Sequence, residues 1–423
     1  MPTLREQYDE LRMASGASTQ RPTSSENDPF IVRLIQLLLS HGVQTKASDI
    51  HVEPTRTGAR VRYRIDGLLQ ELLLVPEEIR DPLIRAVKTK ASLATDFVGR
   101  SKPQDGRIDF QVDGRMLDLR LSSFPTMFGD VLAIRILDRN APLLKLEQLG
   151  FPPELLQQFF QLIHRPNGLF LVTGPAGSGK TTTLYGALEK IRSPQIKIVT
   201  LEDPVEYQLD GVDQSQMSPQ IGLTFASGLR AALRQDANVI LVGEIRDKET
   251  VEIAVRAALT GHLVFSTLHT KNACGTVSRL LDMGVEPHLI ASALSGVMAI
   301  RLVRLVCTHC AAADPQEEQV AVKLLSTIGH AQPTWTSPAQ FRRGKGCGAC
   351  NQTGYRGRTG VFELLVLKDE LRLAVLERST TSLFKHAIAS GMRTMLADGL
   401  EKAAKGLTTV EEVLRVLGEA DEG

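Results

Sequence analysis

Residues 174–181 read Gly-Pro-Ala-Gly-Ser-Gly-Lys-Thr. They match G-x-x-x-x-G-K-S/T at every fixed position, the pattern of a loop that wraps phosphates. Glycines let the backbone close round the anion, while loop amides and the following helix start offer partial positive charge. In such a loop Lys180 reaches the β- and γ-phosphates of a nucleoside triphosphate, and the Thr181 hydroxyl ligates Mg²⁺. Gly174, Pro175, Ala176, Gly177, Ser178, Gly179, Lys180, Thr181 and Thr182 are therefore the candidate nucleotide-binding set. The flanking runs LFLVT and TTTLYGALEKIR supply a strand before and a helix after. That context argues against a chance glycine-rich turn.

Hydrolysis also needs acids at strand ends, to hold Mg²⁺ or orient water. The run NVILVGEIRD (238–247) offers Glu244 and Asp247, and TLEDPVEY (200–207) offers Glu202, Asp203 and Glu206. Ligands of open α/β sheets bind outside the carboxyl ends of strands. A single carboxylate there is often just a solvated loop residue; two clusters in one such domain carry more weight. His262 and His269 flank another strand, in GHLVFSTLHT. His269 lies beside Thr267 and Thr270, where a phosphate-touching role and a structural one both stay open.

Cys307-Thr-His-Cys310 and Cys347-Gly-Ala-Cys350 form two C-x-x-C pairs. Two such knuckles read as a four-thiolate zinc site. A redox pair explains one C-x-x-C but not two, and a reducing compartment disfavours disulfides. Four thiolates leave no open coordination position, so the zinc is expected to be structural. Cys274 is expected to be a small buried hydrophobe.

The elements that must position these groups follow from patterning. Residues 1–28 are polar and are expected to form a mobile arm. FIVRLIQLLLSHGV places apolar residues at helical spacing from Phe30 and is expected to stop at Gly42. Val61, Tyr63 and Ile65 alternate with Arg60, Arg62 and Arg64 in a half-buried strand. Alternating runs around Asp113-Gly114 predict a hairpin with Arg120 on its polar face. These belong to a small α+β domain, 29–140, followed by a linker, 141–153. Apolar runs alternating with helices then predict a parallel α/β domain over 154–300. A four-cysteine zinc subdomain, 301–360, and a C-terminal helical region, 361–423, complete the chain. Thr409 and Glu412 suggest a capping box for the last helix.

Composition bounds the function. The 423 residues carry 49 Lys+Arg and 48 Asp+Glu, a net +1, with 5% aromatics. That balance argues against coating nucleic acid, against a polybasic membrane anchor and against a stacking platform for single strands. No span approaches the ~18–20 apolar residues of a membrane helix. Leu289 to Ile300 is too short and is diluted by Ser292, Ser295 and Gly296. The N-terminus is no secretory signal, so a cytosolic location is expected.

Together these residues resemble the secretion and pilus-assembly ATPase family of the type II secretion and type IV pilus kind (GspE/PilB-like). The resemblance runs from about residue 28 to near the end. It rests on ASDIHVEP (47–54), YRIDG (63–67), PQDGR (103–107), DLRLSSFPTMFGD (118–130), the P-loop, TLEDPVEY, LRQDANVILVGEIRD (233–247) and TGHLVFSTLHT. It implies a RecA-like P-loop domain preceded by a small PAS-like α+β domain, assembled as a homo-hexamer that turns over ATP. It implies that Arg107 and Arg120, with Arg135 a weaker candidate, bring charge to the phosphates. Glu202 would orient the attacking water, Glu244 would act near Mg²⁺, and His262 and His269 would respond to the γ-phosphate.

The implied partner is an inner-membrane platform protein, with peripheral membrane association through that partner and no direct nucleic acid. The cysteine pairs and Leu259-Thr260 before Gly261 favour the assembly branch over retraction motors. A pilus-retraction or DNA-uptake motor, a RecA-like nucleic-acid translocase and an ATP-binding regulator are the alternatives; the arginines at 60, 62 and 64 keep the nucleic-acid reading open. Asp130 stands where Glu is usual, and Asp-Ala-Asn (236–238) replaces a commoner DPD. About 28 residues precede the core, so docking through a further N-terminal domain is not expected.

Overall fold

A computed structural model describes residues 3–14, 26–96, 102–112, 114–137, 143–327, 335 and 339–418. The chain divides into two compact units, Met1–Ala141 and Pro142–Gly423.

The first unit holds helices α1 (Leu4–Ala14), α2 (Pro29–Gln44) and α3 (Glu77–Lys90) and strands β1 (Asp49–Thr55), β2 (Gly58–Ile65), β3 (Leu68–Pro76), β4 (Gln104–Val112), β5 (Arg115–Thr126) and β6 (Gly129–Leu137). The strands form one antiparallel sheet in the order β3-β2-β1-β6-β5-β4. Alternate residues such as Ile50, Val52, Val61, Tyr63, Leu119 and Ile134 are buried with α2 and α3. The opposite face stays polar, as a period of two requires. Val112 pairs with Arg115 across a two-residue turn in which Gly114 takes φ +75°. Asp113 lies outside the described residues.

Two expectations for this unit need correction. The arm is not all mobile: residues 4–14 form α1, whose Leu4 and Tyr8 enter the core beside Phe30. Residues 15–25 lie outside the described ones. Helix α2 does not stop at Gly42. It starts with Asp28 accepting the Phe30 amide (2.8 Å) and Pro29 in its first turn, and it runs to Gln44. Gly42 is a packing position, since a Cβ there would stand 2.7 Å from Ile50 Cδ1. Asp130 is buried and accepts a hydrogen bond from Lys88 at 2.6 Å.

In the second unit come α4 (Pro153–Ile163), β7 (Gly168–Thr173), α5 (Lys180–Ile191), β8 (Ile198–Glu202), β9 (Asp213–Gln216), α6 (Phe225–Ala232), β10 (Val239–Val242), α7 (Lys248–Leu259), β11 (Leu263–Leu268), α8 (Ala273–Asp282), α9 (Pro287–Ala293) and β12 (Leu294–Val306). They are followed by β13 (Ala311–Ala313), α10 (Gln316–Thr327), β14 (Arg342–Gly344), β15 (Tyr355–Val366), α11 (Asp369–Leu376), α12 (Thr380–Ala389), α13 (Met395–Ala404) and α14 (Val410–Leu417). Seven strands form one sheet in the order β15-β12-β7-β11-β10-β8-β9. All its pairings are parallel except β12 with β15.

Strands β7, β8, β10 and β11 are buried along their whole length. Their neighbouring residues feed opposite cores: Leu169 and Leu171 one, Phe170 and Val172 the other. Burying each such side chain contributes about 1.5–3 kcal/mol, so the sheet's two faces dominate this unit's stability.

The sequence placed 301–360 in a separate subdomain and began the helical tail at 361. Instead β12 and β15 run through those boundaries into the main sheet, pairing from Gly296–Val366 to Val306–Tyr355. The tail's first helix starts at Asp369, because Val361–Leu365 are buried as strand. At α14 the Thr409 hydroxyl accepts the Glu412 amide (3.0 Å), but the Glu412 carboxylate turns to Arg304 and Arg415 rather than completing the box. No helix among the described residues is long and apolar enough to cross a membrane.

Candidate nucleotide site and cysteine cluster

Strand β7 ends at Thr173 and the Gly174–Gly179 loop leads into α5 at Lys180. Gly179 caps the helix at φ +95°, and Gly174 sits at φ +154°. A Cβ on Gly174 would stand 2.5 Å from Ser178 Oγ and 2.6 Å from the Ile300 carbonyl, so the loop's close approach to β12 requires glycine. Lys180 Nζ donates to the carbonyls of Gly174 (2.7 Å) and Pro175 (2.9 Å). Burial, opposed by the Glu244 carboxylate and aided by Arg301, brings the Lys180 ammonium down to about 8. Thr181 is exposed beside it. Ser178 Oγ is buried with no hydrogen-bond partner among the described residues. A loop of amides with a spare buried hydroxyl and a lysine fits a phosphate chain.

Because β8, β10 and β11 run parallel to β7, their carboxyl ends share the P-loop's edge of the sheet. Glu244 follows β10 and pairs with Arg246, and its Oε2 lies 3.8 Å from His269 Nε2. His269 itself follows β11. Partial burial, then the Lys180 ammonium, lowers the His269 pKa. Lys180, Glu244 and His269 are thus brought together electrostatically. Asp247 is not part of this group: its carboxylate caps α7 through the Thr250 amide (2.8 Å) and hydroxyl (3.0 Å).

Glu202 ends β8 on the same edge, yet its side chain turns inward. It is 4% exposed and accepts hydrogen bonds from Thr200 (2.5 Å), Gln214 (3.1 Å) and Tyr185. His262 stands apart from the others. It precedes β11, whose first residue pairs with Gly168 at the start of β7. Six strand residues, about 20 Å, separate it from the P-loop edge of its own sheet. Its backbone amide and ring face the Ala257 carbonyl at the end of α7 (3.1 Å each). The expected γ-phosphate role for His262 therefore has no support in the geometry of this chain.

In the first unit, direct pairing places Arg107 opposite Arg120, Arg120 opposite Arg135, Arg135 opposite Asp49, and Asp49 opposite Arg64. Paired residues share a face, so these five charges form one row across the polar side of the sheet. Asp49 accepts from Arg135 (3.1 Å) and lies 3.7 Å from Arg64. Arg60 and Arg62 both pair with Glu53. The arginines that kept nucleic acid in view are matched by acids of the neighbouring strand.

Cys307 follows β12, and Cys347 and Cys350 lie on a turn after β14. The Sγ atoms of Cys307, Cys310, Cys347 and Cys350 all lie within 4.8 Å of one another. Three separations are 3.9, 3.9 and 3.7 Å. Sulfurs 2.3 Å from one tetrahedral ion stand about 3.8 Å apart, whereas a disulfide needs about 2.05 Å. The donor set fits a metal ion. The amides of Cys347 and Gly354 point at Cys350 Sγ (3.3 Å each). With hydrogen bonds from the Cys347 and Cys310 thiols they outweigh the effect of burial and bring that thiol down to about 7, while burial and the other three sulfurs push Cys310 up to about 11. Cys274 is buried in the main core, as its sequence context suggested.

Comparison with known proteins follows the same lines. The family model for type II/IV secretion system proteins matches residues 24–415. The chain belongs to that family. Type II secretion system protein E of Klebsiella pneumoniae is 45% identical over 392 residues, 93% of this chain and 77% of that protein. Type II secretion system ATPase E of Vibrio cholerae is 43% identical over 396 residues, 94% of this chain and 77% of its own. Among solved structures, the pilus retraction motor PilT with bound ADP has a TM-score of 0.60 at 28% identity, covering 89% of this chain and 95% of its own.

Two site residues of this secretion-family chain escaped the sequence reading. Arg301 on β12 donates to the Lys271 (2.7 Å) and Ile300 (3.0 Å) carbonyls and stands beside Gly174. A charge inside the apolar run GVMAIRLV was the available signal. Tyr185 on α5 had none, since its partner Glu202 lies on another element.

Proposed function

We propose that this chain is an ATP-hydrolysing motor. It powers assembly of a type II secretion pseudopilus or type IV pilus from the cytoplasmic side of the inner membrane. The observation that carries the reading is the convergence of Lys180, Glu244 and His269 on one sheet edge in a chain of the secretion family. The second unit is read as RecA-like and the first as PAS-like.

The P-loop amides and Lys180 bind the phosphates of ATP. Thr181 and Glu244 are the residues to hold Mg²⁺, which when bound neutralises charge on the transferring phosphoryl group. His269, beside Glu244 and Lys180, is the residue to respond to the γ-phosphate. Glu202 orients the attacking water, and Arg107 and Arg120 contribute positive charge to the phosphates. For the two arginines the support is the family motifs that carry them, PQDGR and DLRLS. The cysteine cluster is read as a structural zinc site. A homo-hexamer working against an inner-membrane platform protein completes the proposal. The pairing of Arg60 and Arg62 with Glu53 weighs against a nucleic-acid translocase.

The test is delivery of secreted protein or pili by cells lacking the chain. The wild-type chain is expected to restore delivery and Lys180→Ala to leave it absent. Full restoration by Lys180→Ala would overturn the reading.

A further inference from the structure

The Glu202 carboxylate is held by three donors from three elements. Oε1 accepts from Thr200 Oγ1 (2.5 Å) on β8 and from Gln214 Nε2 (3.1 Å) on β9, and Oε2 accepts from the Tyr185 hydroxyl on α5. A carboxylate has about four acceptor positions. Three are filled, and the one left belongs to Oε2, the oxygen that Tyr185 bonds. Its direction is therefore set by the Tyr185 hydroxyl.

The surroundings leave this arrangement little freedom. Tyr185 is fully buried and stands edge-on to the Tyr207 ring, with centroids 6.1 Å apart at 75°. Gln214 is fixed at both ends, accepting the Leu209 amide (2.7 Å) and donating also to the Tyr207 carbonyl (3.0 Å). Burial, reinforced by Glu202, raises the Tyr185 pKa, so the phenol remains a donor. Thr200 and Gln214 come from the sheet. Tyr185 alone comes from the helix that begins with Lys180 and Thr181, so it is the donor that registers Glu202 to the phosphate-binding loop.

We infer that Tyr185 is a positioning residue for ATP hydrolysis: its hydroxyl aims the last acceptor position of Glu202 and ties that aim to the P-loop helix. The inference rests on the reading of Glu202 as the group that orients water. A base held by fixed donors needs no reorientation before it acts, and small misplacements of such groups cost rate rather than binding.

Phosphate release is measured for the full chain and for Tyr185→Phe, which keeps the ring and removes the hydroxyl. The expected result is a kcat lower by about tenfold with a KM for MgATP within about twofold of wild type. In a Glu202→Gln background, assayed with labelled ATP, the same substitution is expected to change the residual kcat by less than about twofold, because the two side chains act as a unit. Thr200→Val removes a second donor and is expected to lower kcat in the same KM-neutral way; it decides the matter if Tyr185→Phe does not fold. A wild-type kcat for Tyr185→Phe, or an equal fold loss in both backgrounds, would overturn the inference. A wild-type rate for Glu202→Gln alone would overturn the reading of Glu202 as well, and so separates the two failures.

Discussion

Arg107 on β4 and Arg120 on β5 are paired directly across the first unit's sheet, and Arg120 is paired in turn with Arg135 on β6. Like charges opposed in this way cost roughly 0.2–1 kcal/mol per pair. Asp49, between Arg135 and Arg64 in the row, answers both. Arg107, at the far end, is exposed.

Arg107→Gln should therefore separate stability from activity. The thermal midpoint is expected to stay level or rise slightly, while ATP turnover falls by about tenfold or more. A scan and a phosphate-release assay on the same preparation check this; a large loss of stability would contradict the electrostatic account.

The cysteine cluster predicts one zinc per chain in a reduced preparation, measured by elemental analysis. Chelation or Cys350→Ser is expected to lower the melting temperature of the second unit, since a four-thiolate site contributes folding energy. A metal-free preparation of undiminished stability would contradict it.

Glu412 gives a pH prediction. Burial alone would raise its pKa, but hydrogen bonds from Arg415 and Arg304 outweigh it and hold the folded value below the ordinary 4.5. A depressed carboxyl pKa stabilises fully above the unfolded value, and the contribution is lost as pH falls through the folded one. Glu412→Gln is expected to cost about 3–5 kcal/mol at pH 7 and to flatten the stability profile below pH 4.5, as read by denaturant unfolding. An unchanged acid limb would contradict this.

At Gly174 a side chain would meet the Ile300 carbonyl and Ser178 Oγ. Gly174→Ala is expected to destabilise by about 1–3 kcal/mol and to weaken nucleotide binding, measured by titration with a fluorescent analogue. Wild-type affinity would show the loop to be more tolerant than its geometry.

The P-loop and the cysteine pairs were legible in the sequence because phosphate and metal chemistry dictate residue types at short fixed spacings. What was not legible depends on long-range pairing. His262 and His269 flank one strand and look equivalent until the parallel register with β7 puts them at opposite edges of the sheet. Glu202 reads as a site acid at a strand end, but its burial and its donors stay hidden until Tyr185 and Gln214 arrive from other elements. β12 and β15 were hidden because the cysteine segment interrupts them, so the sheet's seventh strand looked like the start of a helical tail. Gly42 reads as a helix stop, and only the Ile50 side chain shows why it is glycine.

The central claim is tested most directly by phosphate release from purified chain with MgATP, comparing wild type with Lys180→Ala. The expected result is steady turnover by wild type and loss of at least about a hundredfold in Lys180→Ala. Equal rates for the two proteins would contradict the assignment of the P-loop edge as the site of hydrolysis.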